Sequence, residues 1–298
     1  MTAHKLHHPA DRRIYNVVSI VVLTLLSAFC IFPFLLLIAG SFSTQDSILR
    51  YGYRLIPMEC SLEAYGILFK SPQSILDAYG ITILVTTVGT LLSLLLMSMG
   101  AYVLASREFK YRNQVSFFFY FTTIFGGGLV PWYVFCINTL HFRNNFWALI
   151  LPTVVNVTYM LILKSYMKSI PDALYESAKL DGAGDLMIYA RIALPLSKAG
   201  LATVGLFMAL GYWNDWYNAM LFIDNERMFP LQYFLNNILT KASAMKAAAA
   251  RSGLVVGDIP SEPMKLAMTV VATGPIILLY PFLQKYFVKG VTIGAVKG

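Results

Sequence analysis

Six long apolar segments dominate this sequence and limit the folds that it can adopt. They cover residues 17–39, 80–104, 115–137, 146–163, 199–222 and 264–287. A helix needs about 20 mostly apolar residues to cross a bilayer, and each segment reaches or approaches that length. Only helices and closed barrels satisfy every backbone polar group inside lipid. The pattern therefore predicts an all-α integral membrane protein with about six transmembrane helices.

The composition agrees with a membrane protein and argues against a protein that binds nucleic acid. Hydrophobic residues make up 57% of the 298 residues and charged residues only 13%, about half the charged share of a soluble domain. The net charge of +8 is spread over segments between the apolar runs rather than gathered in one patch. We therefore predict membrane lipid, and no nucleic acid, around the chain. The three cysteines show no metal-ligand spacing, so no metal site is predicted.

The distribution of lysine and arginine indicates the orientation, because cytoplasmic segments carry the excess of these residues. With the N-terminus inside, 14 of the 23 basic residues lie in cytoplasmic segments and nine in outer segments. Both termini are therefore predicted to be cytoplasmic, with residues 1–16 as an N-terminal tail. Residues 17–298 are interpreted as a single transmembrane domain. Its two long outer segments, 40–79 and 223–263, are candidates for docking an extracellular or periplasmic partner.

The cytoplasmic segment between the fourth and fifth apolar runs predicts two short helices. Ser169 can cap the first helix, while Asp172, three residues later, completes a capping box. The left-handed conformation that glycine accepts can end this helix at Gly182 or Gly184. A second short helix is predicted to follow and to end before Pro195.

The first of these two helices has features of a docking surface. Several polar side chains are available for contacts, and several small residues would let another protein approach closely. The polar residues are Glu176, Lys179 and Asp181, and the small residues are Ala178, Gly182 and Ala183. From the spacing alone, an ordinary connecting loop is an equally good interpretation.

This segment resembles the EAA loop of the permeases of ATP-binding-cassette (ABC) importers. That loop has the form E-A-A, three residues, G, about nine residues, and then I-x-L-P. The matching runs are Glu176-Ser177-Ala178, Asp181-Gly182-Ala183 and Ile192-Ala193-Leu194-Pro195, with Ser177 in place of the usual second alanine. Other runs resemble the carbohydrate-type permeases related to the maltose importer, especially their lipoprotein and oligosaccharide permease branch. These runs include Phe32-Pro33-Phe34, Trp147-Ala148-Leu149, Trp213-Asn214 and Gly294-Ala295-Val296-Lys297-Gly298.

The resemblance implies the type I ABC importer permease fold and a coupling role for residues at about 164–198. A helix in this segment would insert into a cleft of a separate ATPase subunit. The residues implied in that contact are Glu176, Ser177, Ala178, Asp181, Gly182 and Ala183. The resemblance also implies a bacterial plasma (inner) membrane location and three kinds of partner. These are a homologous permease subunit, two ATP-binding-cassette ATPase subunits, and an extracellular or periplasmic solute-binding protein.

The chain has no phosphate-binding loop of the form G-x-x-x-x-G-K-[ST] and no evident pairing of a nucleophile with a base. We therefore predict no enzymatic activity and no cofactor in this chain, with ATP and Mg²⁺ used by the partner ATPase. The resemblance implies import of a carbohydrate, in particular an oligosaccharide, and acidic cargo such as alginate or pectin fragments is an option. The alternative is an ion-coupled secondary sugar transporter, a class that often shows internal repeats. The sequence shows no such repeat.

The fifth apolar segment contains the candidates for a substrate pathway. Ionisable residues inside a membrane span suggest a pathway or a charge pair, and Asp215 is the acidic residue within the predicted spans. Aromatic rings beside amide and carboxyl groups suit the faces and hydroxyls of a sugar. The predicted pathway residues are Trp213, Asn214, Asp215 and Trp216. Interfacial anchoring or subunit contact is the stronger alternative explanation of the aromatic residues, and an unpaired Asp215 would oppose an anionic sugar.

Overall fold

The computed structural model describes residues 9–70, 72–252, 261–275 and 277. These residues fold mainly into helices, which confirms the all-α prediction. Within these ranges, β structure is limited to an isolated antiparallel bridge between Ser43 and Cys60. The described chain forms two compact units. The first unit contains residues 9–70, 239–252 and 261–274, and the second contains residues 72–238, 275 and 277.

The helices of the described residues vary widely in length. In chain order they are α1 (Pro9–Ser41), α2 (Gln45–Tyr51), α3 (Glu63–Leu68), α4 (Pro72–Ala105), α5 (Arg112–Ile124), α6 (Leu129–Asn138), α7 (Val157–Lys168), α8 (Asp172–Leu180), α9 (Asp185–Ile188), α10 (Leu194–Leu196), α11 (Lys198–Trp213), α12 (Tyr217–Phe222), α13 (Leu231–Ser252) and α14 (261–275). Short 3₁₀ turns cover Phe146–Leu149, Leu151–Thr153 and Glu226–Met228, and a π-helical turn covers Tyr189–Ala193.

Two helices are long and apolar enough to cross a membrane unaided, namely the part of α1 from residue 13 onward and the whole of α4. They contain the predicted spans 17–39 and 80–104. Three further crossings each need two helical pieces that meet at an angle. These pairs are Arg112–Ile124 with Leu129–Asn138 (108°), Phe146–Thr153 with Val157–Lys168 (54°), and Asp185–Leu196 with Lys198–Trp213 (80°). The described residues therefore supply up to five crossings.

The ends of the chain are only partly described. The sixth predicted span, 264–287, begins in α14 and continues outside the described residues. The C-terminal runs that resemble the oligosaccharide branch also lie outside them. At the other end, α1 begins at Pro9, so the second half of the predicted tail 1–16 is helical. The assignment of residues 17–298 to one transmembrane domain stays a prediction.

The third, fourth and fifth predicted segments are broken rather than continuous, and particular residues explain the breaks. The third breaks at a run of glycines, which form helices poorly, and Gly128 there adopts a φ of 86°. The fourth starts as 3₁₀ turns around Pro152, and Asn156 then caps α7 by accepting a backbone N–H at 3.2 Å. The fifth stops at Trp213, and Asp215 in the following turn accepts the backbone N–H groups of Tyr217 and Asn218 at the start of the separate helix α12. Each of the predicted segments 115–137, 146–163 and 199–222 thus consists of helical pieces rather than one straight helix.

Helix α4 packs against both α7 and α11 and forms the centre of the second unit. A Cβ on Gly89 of α4 would lie 2.7 Å from the ring of Tyr212 in α11. Small residues of this kind let transmembrane helices approach closely. The Tyr212 hydroxyl donates to the carbonyl of Ile150 at 3.1 Å and is hydrogen-bonded to Ser93, also at 3.1 Å. Packing and polar contacts thus join α4, α11 and the broken fourth segment.

In the first unit, Glu262 of α14 connects this helix to the segment that follows α1. Its carboxylate accepts a hydrogen bond from the hydroxyl of Tyr53 at 3.0 Å and one from Lys265 at 2.7 Å. Its backbone N–H donates to the side chain of Gln45 at 3.0 Å. Burial, and then the neighbouring carboxylate of Glu262, raise the pKa of Tyr53. The phenol therefore keeps its proton, and its donor role, above the usual pH range of tyrosine.

Candidate coupling site

Helix α8 of the predicted coupling segment starts without the expected capping box. Ser169 is the C-terminal cap of α7, and its hydroxyl donates back to the carbonyl of Tyr166 at 2.7 Å. Pro171 takes the N-cap position of α8, which leaves Ser169 two residues too early to reach the first free amides. Asp172 forms an ion pair with Arg107 instead. The predicted capping box is therefore wrong, because a nearer carbonyl competes for the serine hydroxyl.

Helix α8 ends where the sequence predicts, at a glycine. Gly182 adopts a φ of 79°, in the left-handed region. The N–H of Ala183 donates to the carbonyl of Ala178, and that of Gly182 donates to the carbonyl of Lys179, both at 2.9 Å. These two bonds form a Schellman motif, which satisfies the last carbonyls of the helix. The prediction that Gly182 or Gly184 ends the helix is confirmed, and Gly182 does so.

The second predicted helix continues further than expected. It starts with α9 at Asp185, widens into the π-helical turn, and passes through Pro195 as α10. Pro195 stands in the first positions of α10, where its missing N–H is tolerated. In the widened turn, the N–H of Leu194 reaches the carbonyl of Tyr189, five residues back. The prediction that the helix ends before Pro195 was therefore wrong, since a π-turn lets the proline be accommodated.

The six predicted coupling residues lie along α8 and the turn after it. Four of them, Glu176, Ser177, Asp181 and Gly182, are exposed, while Ala178 and Ala183 are half-buried. No described atom lies within 4 Å of the place where a Cβ on Gly182 would stand. The structure thus leaves the exposed end of α8 open to another protein.

Leu180 is a candidate docking residue that the sequence reasoning missed. Its side chain is 89% exposed, although it is large and apolar. It stands next to the helix end at Gly182, in the middle of the predicted contact surface. An apolar residue between Lys179 and Asp181 is the signal that could have identified it, because exposed apolar groups mark interaction surfaces when they cluster with other contact residues.

The opposite face of α8 is attached to the loop between α4 and α5. Asp172 pairs with Arg107 at 2.5 Å, and Lys179 pairs with Glu108 of the same loop. The hydrogen bond to Glu108 raises the pKa of the Lys179 ammonium. The sequence reasoning missed both loop residues, because no local pattern links positions about 70 residues apart in the chain.

A tyrosine contact adds to this attachment. The ring of Tyr175 in α8 lies 6.4 Å from that of Tyr102 in α4, and Tyr102 lies 5.5 Å from Tyr189 in the π-turn. Burial raises the pKa of Tyr175. The hydroxyl of Tyr189 is in turn hydrogen-bonded to Ser98 of α4 at 2.7 Å. A cavity of about 210 Å³ lies between α8, the end of α7 and the α4–α5 loop.

The four predicted pathway residues lie together at the turn between α11 and α12, but in different environments. Trp213 is buried, and Trp216 is exposed. Asn214 donates to the carbonyl that precedes it by four residues at 2.9 Å. The carboxylate of Asp215 accepts two backbone N–H bonds at 3.0 and 3.2 Å and a side-chain bond from Asn218 at 2.6 Å. These three bonds give Asp215 a local structural role, and a pathway role for the four residues stays a prediction.

The broken, all-helical spans and the EAA-type segment together define a membrane permease subunit. The chain belongs to the family described as binding-protein-dependent transport system inner membrane component, whose model matches residues 98–293. That range contains every residue of the candidate coupling site. Members of this family are multi-pass permease components of ABC transporters in the bacterial inner membrane, and they are not themselves enzymes. Family membership thus decides against the ion-coupled secondary transporter.

Three known proteins show how far the similarity extends. Protein LplC of Bacillus subtilis (strain 168) is 38% identical over 297 residues, which cover 99% of each chain. The polygalacturonan/rhamnogalacturonan transport system permease protein YtcP of the same organism is 37% identical over 286 residues, covering 96% of this chain and 99% of its own length. A crystal structure of a bacterial ABC transporter involved in the import of the acidic polysaccharide alginate contains a chain with a TM-score of 0.76 and 26% identity. That match covers 95% of this chain and 99% of the other. These similarities confirm the predicted family and fold.

Proposed function

We propose that this protein forms half of the membrane pathway of an ABC importer for acidic oligosaccharides, with α8 as its coupling helix. The observation that carries the coupling assignment is the exposed helix end at Gly182, within the EAA-type sequence. The family implies an ATPase, a binding protein and a partner permease. In the proposed assembly, the partner permease is homologous, two ATPase subunits bind on the cytoplasmic side, and an extracellular or periplasmic solute-binding protein delivers the cargo.

The proposed orientation follows from the distribution of charges. The α4–α5 loop and the coupling segment carry a cluster of lysine and arginine residues, and such segments face the cytoplasm. Both termini then lie in the cytoplasm as well. Residues 40–79 and 223–263 lie outside, where a solute-binding protein would dock. This orientation places α8 on the same side of the membrane as ATP.

The proposed cargo class rests on the relatives. The name of YtcP assigns it to a transport system for polygalacturonan and rhamnogalacturonan, and the solved transporter is involved in the import of alginate. These polymers contain sugar acids, so their fragments are anionic. In this structure Asp215 is hydrogen-bonded to its own turn, which reduces its charge repulsion toward an anionic sugar. The exposed Asn214 and Trp216 remain the proposed neighbours of the sugar rings, whereas Trp213 is buried.

In the proposed mechanism, α8 transmits the movement of the ATPase subunits to the transmembrane helices. When ATP closes the two ATPase subunits, the exposed face with Glu176 and Gly182 moves with them. The opposite face of α8, which forms ion pairs with Arg107 and Glu108, transmits this motion to the α4–α5 loop. Helix α4 packs on α7 and α11, so the movement reaches the helices of the pathway. Nucleotide and loaded binding protein would thus bias an equilibrium between inward-facing and outward-facing states.

Uptake into proteoliposomes tests this function. The transporter is reconstituted with and without its ATPase subunits, and uptake of trigalacturonate is compared with that of its methyl ester, which has the same sugars without the charges. We expect uptake that requires both the ATPase and ATP and that favours the acid. Uptake by this chain alone, driven by an ion gradient, would contradict the importer. ATP-driven uptake that favours the ester would leave the importer intact and overturn the acidic cargo.

A further inference from the structure

Three cations of the second unit gather where α5 begins and α7 ends. Arg112 is the first residue of α5, Lys168 is the last residue of α7, and Lys164 lies one helical turn before it. The ammonium of Lys164 bonds to Ser116, one helical turn after Arg112 in α5, and Arg112 and Lys168 line the same cavity. Because α5 and α7 are pieces of membrane-crossing pairs, the three cations lie at the boundary between the apolar spans and the coupling segment. We call them the basic triad.

The basic triad is bound only to neutral groups within the described residues. Lys164 donates to the hydroxyl of Ser116 at 2.7 Å, and Arg112 donates to the carbonyl of Ser106 at 3.3 Å. Neither of them, nor Lys168, forms an ion pair with a carboxylate in the described part of the chain. Arg112 and Lys164 are half-buried, and removing a cation from water is costly unless an anion or another polar group compensates it. The triad thus has the charge of an anion site and lacks an internal counter-ion.

Neighbouring acidic residues do not supply that counter-ion. Arg112 and Lys168 line the cavity beside α8, together with three carboxylates. Two of these are already paired, Asp172 with Arg107 and Glu108 with Lys179. The third, Glu176, is exposed on α8 in the surface proposed to meet the ATPase. On its α5 and α7 side, the cavity therefore presents the positive charges of Arg112 and Lys168, neither of which is paired with a carboxylate in the described residues.

The surface beside the triad is suited to lipid. Helix α5 has no buried residue, and an exposed aromatic surface follows its first turn, with Phe117 and Phe121 at a ring distance of 6.3 Å. Just before α5, Lys110 lies 5.8 Å from the ring of Tyr111. Tyrosine and lysine of this kind are typical of the interface between lipid head groups and chains. A molecule with an anionic head and apolar chains would match both the triad and the face of α5.

We propose that Arg112, Lys164 and Lys168 bind the phosphate of an anionic phospholipid, whose acyl chains lie along α5. Basic pockets between transmembrane helices are known to hold anionic head groups. The site borders the cavity that Glu176 of the proposed ATPase surface also lines, and the inference goes beyond the proposed transport function. It requires only that α5 and α7 lie in a membrane, so it stands or falls independently of the cargo.

Native mass spectrometry of the full-length protein, purified within its assembled transporter, tests this site with phosphatidylglycerol as the probe. The test variant is Arg112→Gln/Lys168→Gln, and the matched control is Arg191→Gln/Lys198→Gln, which removes two exposed cations from the same segment. Each cation near a membrane surface contributes about a fivefold gain in affinity. We therefore expect the test variant to bind phosphatidylglycerol about 25-fold more weakly, with no change in the control.

Two comparisons identify the ligand and guard against misfolding. Phosphatidylcholine, which is neutral overall, should bind weakly to all variants, and soluble glycerol phosphate should not displace the lipid. The single variant Lys168→Gln removes a side chain that is exposed, and it should weaken binding about fivefold while the protein elutes normally in size-exclusion chromatography. Equal lipid affinity in test and control variants would overturn the site. Displacement by glycerol phosphate would show a free-phosphate site instead and would also overturn the proposal.

Discussion

Gly182 combines two properties at the scale of a single residue. Its backbone is in the left-handed conformation that ends α8, and its missing side chain leaves open space at the exposed helix end. Asparagine tolerates this conformation better than other residues with a side chain. Gly182→Asn therefore separates the two properties, because it keeps the helix end and fills the space.

We expect Gly182→Asn to leave folding nearly unchanged and to weaken docking of the ATPase. A loss of about 1.4 kcal/mol in docking would lower the affinity of the ATPase about tenfold. The measurement is ATPase binding to the reconstituted permease, together with ATP-driven uptake. Gly184→Asn is the matched control, since Gly184 is equally exposed but has an ordinary backbone conformation. Normal coupling in Gly182→Asn would show that α8 is not the docking helix.

At the scale of the element, the attachment of α8 to the α4–α5 loop depends on opposite charges. Glu108→Lys and Lys179→Glu each place like charges together, and the double variant restores an ion pair with reversed polarity. We expect each single variant to reduce ATP-driven uptake and the double variant to recover it in part, because Asp185, 3.7 Å from Lys179, would face the new carboxylate. Thermal stability should change little in all three, because exposed ion pairs contribute little to folding.

The matched control for this charge exchange is the ion pair between Arg143 and Asp224. Its atoms are 3.0 Å apart, and both side chains are mostly exposed, but it lies far along the chain from the coupling segment. Arg143→Glu should leave coupling unchanged. If the double variant of Glu108 and Lys179 fails to recover uptake while it folds normally, their ion pair does not transmit the motion of α8.

Close packing of α4 against α11 gives a second prediction for this scale. Gly89→Ala would place a methyl group 2.7 Å from the ring of Tyr212, and overpacking of this kind costs about 1–3 kcal/mol. We expect a lower thermal unfolding temperature in detergent. Gly80→Ala in the same helix has open space around the new methyl group and should be neutral or stabilising. Equal stability of the two variants would show that the contact between α4 and α11 is looser than described.

At the scale of the whole molecule, the proposed orientation can be tested with cysteines. Cys60 is exposed in the first long outer segment, whereas Cys136 is buried. A membrane-impermeant maleimide added to intact cells, or to spheroplasts if there is an outer membrane, should label Cys60. A cysteine introduced by Ser177→Cys in α8 should be labelled only in inside-out vesicles. Labelling of the α8 cysteine from outside would reverse the orientation and remove α8 from the side of the ATPase.

Much of this molecule was predictable because the signals are local. The membrane class follows from apolar runs of a given length, and the helix end follows from Gly182 in a segment of polar and small residues. The EAA-type spacing predicted the family, which the match over residues 98–293 confirms. Each of these features lies within one uninterrupted stretch of at most 25 residues, so the sequence displays them directly.

Only the tertiary structure decided how the spans break and what holds the coupling helix. The hydroxyl of Ser169 could either cap the amides of α8 or donate to a carbonyl of α7. In the structure it donates to the carbonyl of Tyr166. Glu108 and Lys179 form an ion pair although they are 71 positions apart in the sequence. The basic triad likewise combines residues of α5 and α7, which are distant in the chain. Sequence determines local conformation and burial preference, whereas such pairings depend on how helices pack, since packing alone brings distant charges and rings together.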